Sequence, residues 1–382
     1  MRDFLPHDAA IKRNIENVLA NLFKVWGYDE VITPAVEYLD TLTMGNKNSI
    51  QRHMFKFFDK NNRTLALRNE MTTSIARLVS SRMQNDDIPF KLSYICKVYR
   101  YEQAQTGRQC EFYQAGVELM GNGEPTGDAE IVALAIESML KAGLVNFQVC
   151  MGQVAFINGL MQQWNLAQDK QKYIRRALEK HDLVELDRIT AETALPDEAR
   201  AFLRSLPMLH GNENVLKKAA AFALDEQSKK ALDNLEKIYD LLKNYGIDKY
   251  VVFDLGVIRD FSYYTGMVFE IYAPGLGSPL CGGGRYDNLL ADFGKNCPAT
   301  GFALGLERLM LALKNQGKTE CLTNSKENYV AYAEGRLDEA VEKAMLLRDA
   351  GEITELAGSP QKLSEAEAYC RAKNYVNLVY IQ

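Results

Sequence analysis

Several short stretches place polar side chains at spacings suited to holding a small charged molecule. In CEFYQAGVELM, residues 110–120, strand alternation puts Gln114, Gly116 and Glu118 on one face and Ala115, Val117 and Leu119 on the other. A carboxamide and a carboxylate then share a surface with a bare glycine between them. A small ligand could lie flat against Gly116 while Glu118 takes its ammonium group; the plainer reading is a half-buried antiparallel strand. Just upstream, VYRYEQAQTGR sets Arg100 and Glu102 on one strand face and Arg108 at the far end of a polar loop. A guanidinium fork matches phosphate or carboxylate oxygens bidentately, although a cross-strand ion pair would use the same arginine. LRNEMT brings Glu70 and Thr72 to a helix start, where capping is ordinary chemistry. RDFSYYTG sets Arg259 on a turn beside Tyr263 and Tyr264, and strand packing accounts for the tyrosines better than for the arginine.

Other chemistries are disfavoured. CGGGRYD, at Cys281–Asp287, has no following lysine, no G-x-x-x-x-G-K-[ST] exists, and no G-x-G-x-x-G follows an N-terminal strand. Gly282–Gly284 therefore suit close backbone packing, or a ligand approaching a bare sheet. The seven cysteines include no C-x-x-C pair and the four histidines no H-x-x-x-H pattern, so neither a disulfide framework nor a metal site is expected. A net charge of −5 offers no basic field for nucleic acid. No apolar run of membrane-spanning length and no leader pattern occur, which reads as a cytoplasmic chain without a membrane partner.

The elements that must position these residues follow from periodicity. Residues 8–26 form a helix capped by Asp8, with Ile11, Ile15, Val18, Leu22 and Val25 on one face and Gly27 as its left-handed stop. An extended segment holds Pro34 at a strand end or edge, and a hairpin turns at Asp59–Asn62. A short helix begins near Thr73, strands cover 92–102 and 110–120, and a helix spans 131–142. A helical insertion runs from about 157 to 246, after which strand signals return before an amphipathic helix near 304–317. The expected units are 1–320 and a small α/β module at 327–382 with three short strands, joined by a linker within Lys318–Lys326.

The order of these segments resembles the catalytic core of the class II aminoacyl-tRNA synthetases, and within them the histidyl branch. The resemblance runs from RDFLP at Arg2–Pro6 to GFALGLERL at Gly301–Leu309. The first helix with the Pro34 segment is similar to motif 1, which builds a dimer interface; residues 98–118 are similar to motif 2, and GFALGLERL to motif 3. RDFSYY and GGGRYD are similar to two signatures of the histidyl branch. The resemblance implies an α+β fold: an antiparallel sheet flanked by helices, with a helical insertion and a small C-terminal α/β module. It also implies roles. Glu70, Thr72, Gln114 and Glu118 would hold the ammonium and carboxylate region of histidine, Tyr263 and Tyr264 would wall the imidazole, and Arg259 would contact the carboxylate. Arg100, Arg108 and Arg308 would occupy ATP-phosphate positions.

The departures narrow the branch. Gln103 and Cys110 stand where the synthetases usually carry loop arginines, Asp260 and Ser262 break the tyrosine signature, and Thr265-Gly266 replace an asparagine-arginine pair. Asp260 would also compete with an anionic ligand for Arg259. From Lys326 onward, seven Lys/Arg face ten Asp/Glu, and a small acidic module reads a phosphate backbone poorly. This profile resembles the regulatory subunits of short-form ATP phosphoribosyltransferase, synthetase-like proteins without aminoacylation activity in bacterial histidine biosynthesis. That resemblance implies a non-catalytic, cofactor-free chain that dimerises and joins the short catalytic subunit in a hetero-octamer. It would be required for the partner's activity and mediate feedback by L-histidine bound in the inherited pocket. Arg100, Arg108 and Arg308 would then be vestigial, no catalytic residue would lie on this chain, and no tRNA would bind. The alternatives are an active histidyl-tRNA synthetase, for which Arg100, Arg259 and Arg308 are in place, and a free-standing amino-acid ligase.

Overall fold

The computed structural model describes residues 3–44, 50–101, 109–180, 182–257, 263–319 and 326–382. The chain divides into two compact units, Met1–Thr319 and Glu320–Gln382; within the expected linker, residues 320–325 lie outside the described residues.

A nine-stranded sheet organises the first unit. From edge to edge its strands are Asp29–Glu30, Phe90–Tyr99, Glu111–Met120, Ala299–Gly305, Cys281–Arg285, Met267–Tyr272, Gln148–Gln153, Val251–Asp254 and His210–Gly211. Neighbours run antiparallel except at two places, Asp29–Glu30 beside Phe90–Tyr99 and Gln148–Gln153 beside Val251–Asp254. On strand Glu111–Met120, Ala115, Val117 and Leu119 are buried, with exposures of 1% or less. Helix Pro125–Lys141 packs against this sheet through the strands Ala299–Gly305, Cys281–Arg285 and Glu111–Met120. It begins six residues before apolar periodicity would start it, because Pro125 occupies the first turn and needs no hydrogen-bond partner there, while Gly127 and Asp128 are buried without being apolar.

The first helix is Pro6–Val25, with Leu5 at the N-cap position and Asp8 inside the first turn, where its charge opposes the helix dipole without capping it. Its buried face is Ile11, Ile15, Leu19, Leu22 and Phe23, and Val25 is exposed. Gly27 takes the expected left-handed conformation, with φ +82°. A separate three-stranded sheet pairs Val36–Tyr38 and Lys56–Phe58 with Thr64–Leu67. Its hairpin closes as expected, with Asn62 at φ 58° and Asp59 Oδ1 accepting from the amides of Asn61 and Arg63. The strand expected over 92–102 stops at Tyr99, so Arg100 lies just beyond it; Glu102 lies outside the described residues. Arg68 is buried and ties the segments together, Nε donating to Lys97 O at 2.8 Å and Nη1 to Thr33 O at 2.7 Å.

Helices from Val154–Gln163 to Glu226–Asn244 occupy the stretch expected to be helical, interrupted by the two-residue strand His210–Gly211. In the second unit a parallel sheet has Lys326–Tyr332 at its centre, between Thr354–Leu356 and Tyr375–Ile381. Ala340, Ala344 and Ala366 are its fully buried helix residues, small enough to bring both helices close to Val330 and Ala331. Among the described residues, no helix is long and apolar enough to cross a membrane.

Close packing accounts for Gly283 and Gly284 in the glycine triplet. A Cβ at Gly283 would overlap the Gly301 carbonyl oxygen and come within 2.7 Å of Phe302 Cβ. Because the first obstacle is main chain, no rotamer change relieves it. Gly283→Ala is therefore expected to destabilise the first unit by about 1–3 kcal/mol, the usual cost of overpacking, read as a lowered urea midpoint. An unchanged midpoint would show that the neighbouring strands separate without loss.

Candidate functional site

One pocket opens on the face of the sheet that carries Gln114 and Glu118. Glu118 sits in mid-strand opposite Gly301 and is 1% exposed. Thr72 Oγ1 donates to its Oε1 at 2.7 Å, and the Tyr286 hydroxyl donates to its Oε2. The space is made by the strand partner: a Cβ at Gly301 would overlap Oε2 and lie 2.5 Å from Val117 O.

Glu70 shapes the site from behind. Its Oε2 accepts from Thr72 N at 2.6 Å and its Oε1 from Thr73 N at 3.0 Å. The capping chemistry expected of Glu70 is thus present, and it fixes the helix start that aims Thr72 at Glu118. Tyr263 and Tyr264 stand with ring centroids 5.0 Å apart, and Tyr263 meets Tyr286 edge-on at 5.7 Å.

The electrostatics follow from burial. Desolvation pushes the Glu118 carboxyl up to about 8; the hydrogen bonds from Tyr286 and Thr72 pull it down in part, and the charge of Glu70 pushes it up again. Burial, then the field of Glu118, holds the Tyr94 and Tyr286 hydroxyls well above their ordinary value. Both groups donating to Glu118 are hydroxyls, and no cation contributes to its shift among the described residues. Gln114 is 8% exposed, and its Oε1 has no hydrogen-bond partner among the described residues. Among the described residues, the floor of the pocket thus presents one acceptor without a donor and one buried carboxyl without a cation.

The residues singled out in the sequence meet here. Glu70, Thr72, Gln114, Glu118, Tyr263, Tyr264, Arg100 and Arg308 all line the pocket. Arg100 Nε donates to Asn69 O at 3.0 Å and its guanidinium lies 5.3 Å from the Phe112 ring centre; Arg308 Nη1 donates to Pro279 O at 2.7 Å. Arg108 and Arg259 lie outside the described residues. One expectation is corrected. A ligand cannot rest on Gly116, because the Tyr94 ring already covers it: a Cβ there would be 2.7 Å from Tyr94 Cζ and 2.5 Å from its hydroxyl oxygen. Alternation along the sequence does not place Tyr94 and Tyr286 in the pocket: Tyr286 follows the glycines of GGGRYD, and Tyr94 faces Gly116 only through the strand register.

Comparison with known proteins identifies relatives of the whole chain. A family model described as Histidyl-tRNA synthetase matches residues 1–309. An ATP phosphoribosyltransferase regulatory subunit of Moorella thermoacetica is 44% identical over 380 residues, spanning 99% of this chain and 96% of the relative. One from Thermoanaerobacter pseudethanolicus is 37% identical over 356 residues, spanning 93% and 92%. Among solved structures, an ATP phosphoribosyltransferase regulatory subunit/histidyl-tRNA synthetase from Bacillus halodurans superposes with a TM-score of 0.87 at 34% identity, covering 100% of this chain and 97% of that one. A histidyl-tRNA synthetase from Nostoc sp. PCC 7120, at 21% identity and a TM-score of 0.82, covers 97% of this chain and 88% of its own and shares the fold.

The burial of Glu118 has a measurable consequence. Its carboxyl is raised from 4.5 to about 8 on folding. Between those values the folded chain keeps a proton that the unfolded chain has released. Its contribution to stability is therefore full below the unfolded value and is lost as pH rises through the folded one. Urea unfolding of the ligand-free chain should show stability falling between about pH 6 and about pH 8, with Glu118→Gln shallower by on the order of 1 kcal/mol per pH unit. Equal slopes for the two proteins would mean that Glu118 is ionised throughout.

Proposed function

This chain belongs to the ATP phosphoribosyltransferase regulatory subunits, within the histidyl-tRNA synthetase family, and from that membership we propose that its pocket binds L-histidine as a feedback effector. The observation that carries this reading is the floor of the pocket. Gln114 Oε1 is buried without a donor and Glu118 is buried without a cation among the described residues. Histidine supplies what is missing, an ammonium group and an imidazole N–H, and Tyr263 and Tyr264 offer aromatic surface for the ring. Arg259, on the segment preceding those tyrosines, would take the carboxylate.

The partner is the short-form catalytic subunit, which would perform the reaction of ATP with phosphoribosyl pyrophosphate and require this chain for activity. Feedback then requires histidine to bind the inhibited assembly more tightly than the active one. A preference of about 100-fold corresponds to about 2.7 kcal/mol of coupling. Arg100 and Arg308, each donating to a main-chain carbonyl, are read with Arg108 as remnants of a nucleotide site.

Dimerisation fits the motif 1-like segment. Ile32 is 89% exposed, and Val36, Tyr38 and Phe57, which share one face of the three-stranded sheet, are also exposed. A second copy of this face would cover them within the hetero-octamer. Phe57→Asp with Ile32→Asp should turn a sedimenting dimer into a monomer without loss of helix signal; a dimer that survives both changes would place the interface elsewhere.

The central test is calorimetry combined with reconstitution. Histidine should bind the isolated chain, and Glu118→Ala should weaken binding by about 1–3 kcal/mol, the loss of one charge-assisted hydrogen bond. Reconstituted with a short-form catalytic subunit, the same variant should still activate but respond weakly to histidine. Unchanged histidine affinity in Glu118→Ala would move the effector site out of this pocket.

A further inference from the structure

We propose that the buried Asp128–Arg285 ion pair is a positioning device for the pocket, holding the Tyr286 hydroxyl on Glu118 from the opposite face of the sheet. Arg285 and Tyr286 are consecutive, so their side chains leave the strand on opposite faces. Arg285 lies in register with Thr300 and Leu119, on the face that packs under helix Pro125–Lys141. Its Nε is 3.1 and 3.0 Å from the two Asp128 carboxylate oxygens, and its Nη1 donates to Asn122 O and Asp287 Oδ1, both at 3.1 Å. Asp128 is 0% exposed and Arg285 7%.

Pinning a helix to a sheet does not call for this much. A buried ion pair is weak evidence for stability, since apolar side chains of similar volume often do as well. What a forked guanidinium adds is direction. The main chain on either side of Tyr286 is held as tightly. Thr265 N donates to Arg285 O at 2.8 Å, Asp287 N donates to Thr265 Oγ1 at 3.0 Å, and Tyr286 N donates to Ala299 O at 2.7 Å. Asp287 Oδ1, which Arg285 already contacts, also accepts from Ala299 N at 3.1 Å. The tripeptide Arg285–Asp287 thus has one orientation, and it sends the Tyr286 hydroxyl to Glu118. Gly266 leaves the room: a Cβ there would come within 3.1 Å of Arg285 Cδ, and this is a position where the chain departs from the synthetase-like arginine.

The inference rests on the reading of the pocket as a histidine site, but half of its test needs no ligand. Carboxyl-carbon NMR of glutamate-labelled chain follows the titration of Glu118, identified by its loss in Glu118→Gln. Tyr286→Phe removes a hydrogen bond to the carboxylate and should move the midpoint upward. Asp128→Asn should move it in the same direction, and the double variant no further than Tyr286→Phe alone. In parallel, Asp128→Asn should weaken histidine binding about tenfold, and this loss should vanish in the Tyr286→Phe background. Arg285→Lys, which keeps a charge on Asp128 but cannot fork to Asn122 and Asp287, is the second variant should Asp128→Asn fail to fold. Shifted midpoints with no histidine binding by the wild-type chain would remove the effector reading and leave the positioning pair standing. An unmoved midpoint, or additive shifts in the double variant, would overturn the positioning pair itself.

Discussion

A single buried carboxylate sets the terms for the centre of this fold. Taking a carboxylate out of water costs several kcal/mol unless it is paired or keeps its proton. Glu118 has two hydroxyl donors and a raised affinity for its proton. Each donor needs support of its own. Thr72 reaches Oε1 because Glu70 caps the helix that carries it. Tyr286 reaches Oε2 because Arg285 and Asp287 hold the main chain on both sides of it. Gly301 leaves the volume that the carboxylate occupies. Three separate segments of sequence are thereby committed to one side chain.

The commitment makes the pocket floor rigid while leaving it chemically unsatisfied. Hydroxyls can stabilise a carboxylate, but they do not neutralise it. Glu118 without a cation holds its proton, so a ligand that brings a positive charge would favour its ionisation and release that proton on binding. The acceptor on Gln114 adds a second demand for an N–H. Polar groups left unpaired in a folded protein commonly mark a place where something else binds. Here they share a floor with aromatic rings, which suits a flat, nitrogen-rich side chain.

Most of the architecture could be read from the sequence, and the exceptions have physical causes. Alternation along residues 110–120 put Gln114 and Glu118 on the right face, because a strand has only two faces to choose from. It could not show that Gly116 is filled by Tyr94, since that depends on which residue of the neighbouring strand lies opposite. Register is a tertiary fact, and the same limit hid Tyr286. Apolar periodicity found the helix after Glu124 but started it late, because its first turn buries Gly127 and Asp128 rather than hydrophobic residues. Asp8 was misread as a cap because a proline two residues earlier, at Pro6, already starts the helix.

The distribution of change along the chain has a physical logic of its own. The positions at which the sequence departs from the synthetase-like pattern, Gln103 and Cys110, fall within or beside a polar stretch of sequence. Loop side chains project toward ligand and solvent, so their replacement costs the fold little. Glu118, Gly301 and Tyr286 have no such freedom. Removing the carboxylate strands two hydroxyl donors, and adding a side chain at Gly301 collides with the sheet. A pocket floor built on the sheet is thus protected by folding itself, whereas contacts carried on a loop are not. A chain that stops catalysing can then keep its recognition of an amino acid with little further selection, and a binding site without its chemistry is the raw material of an effector site.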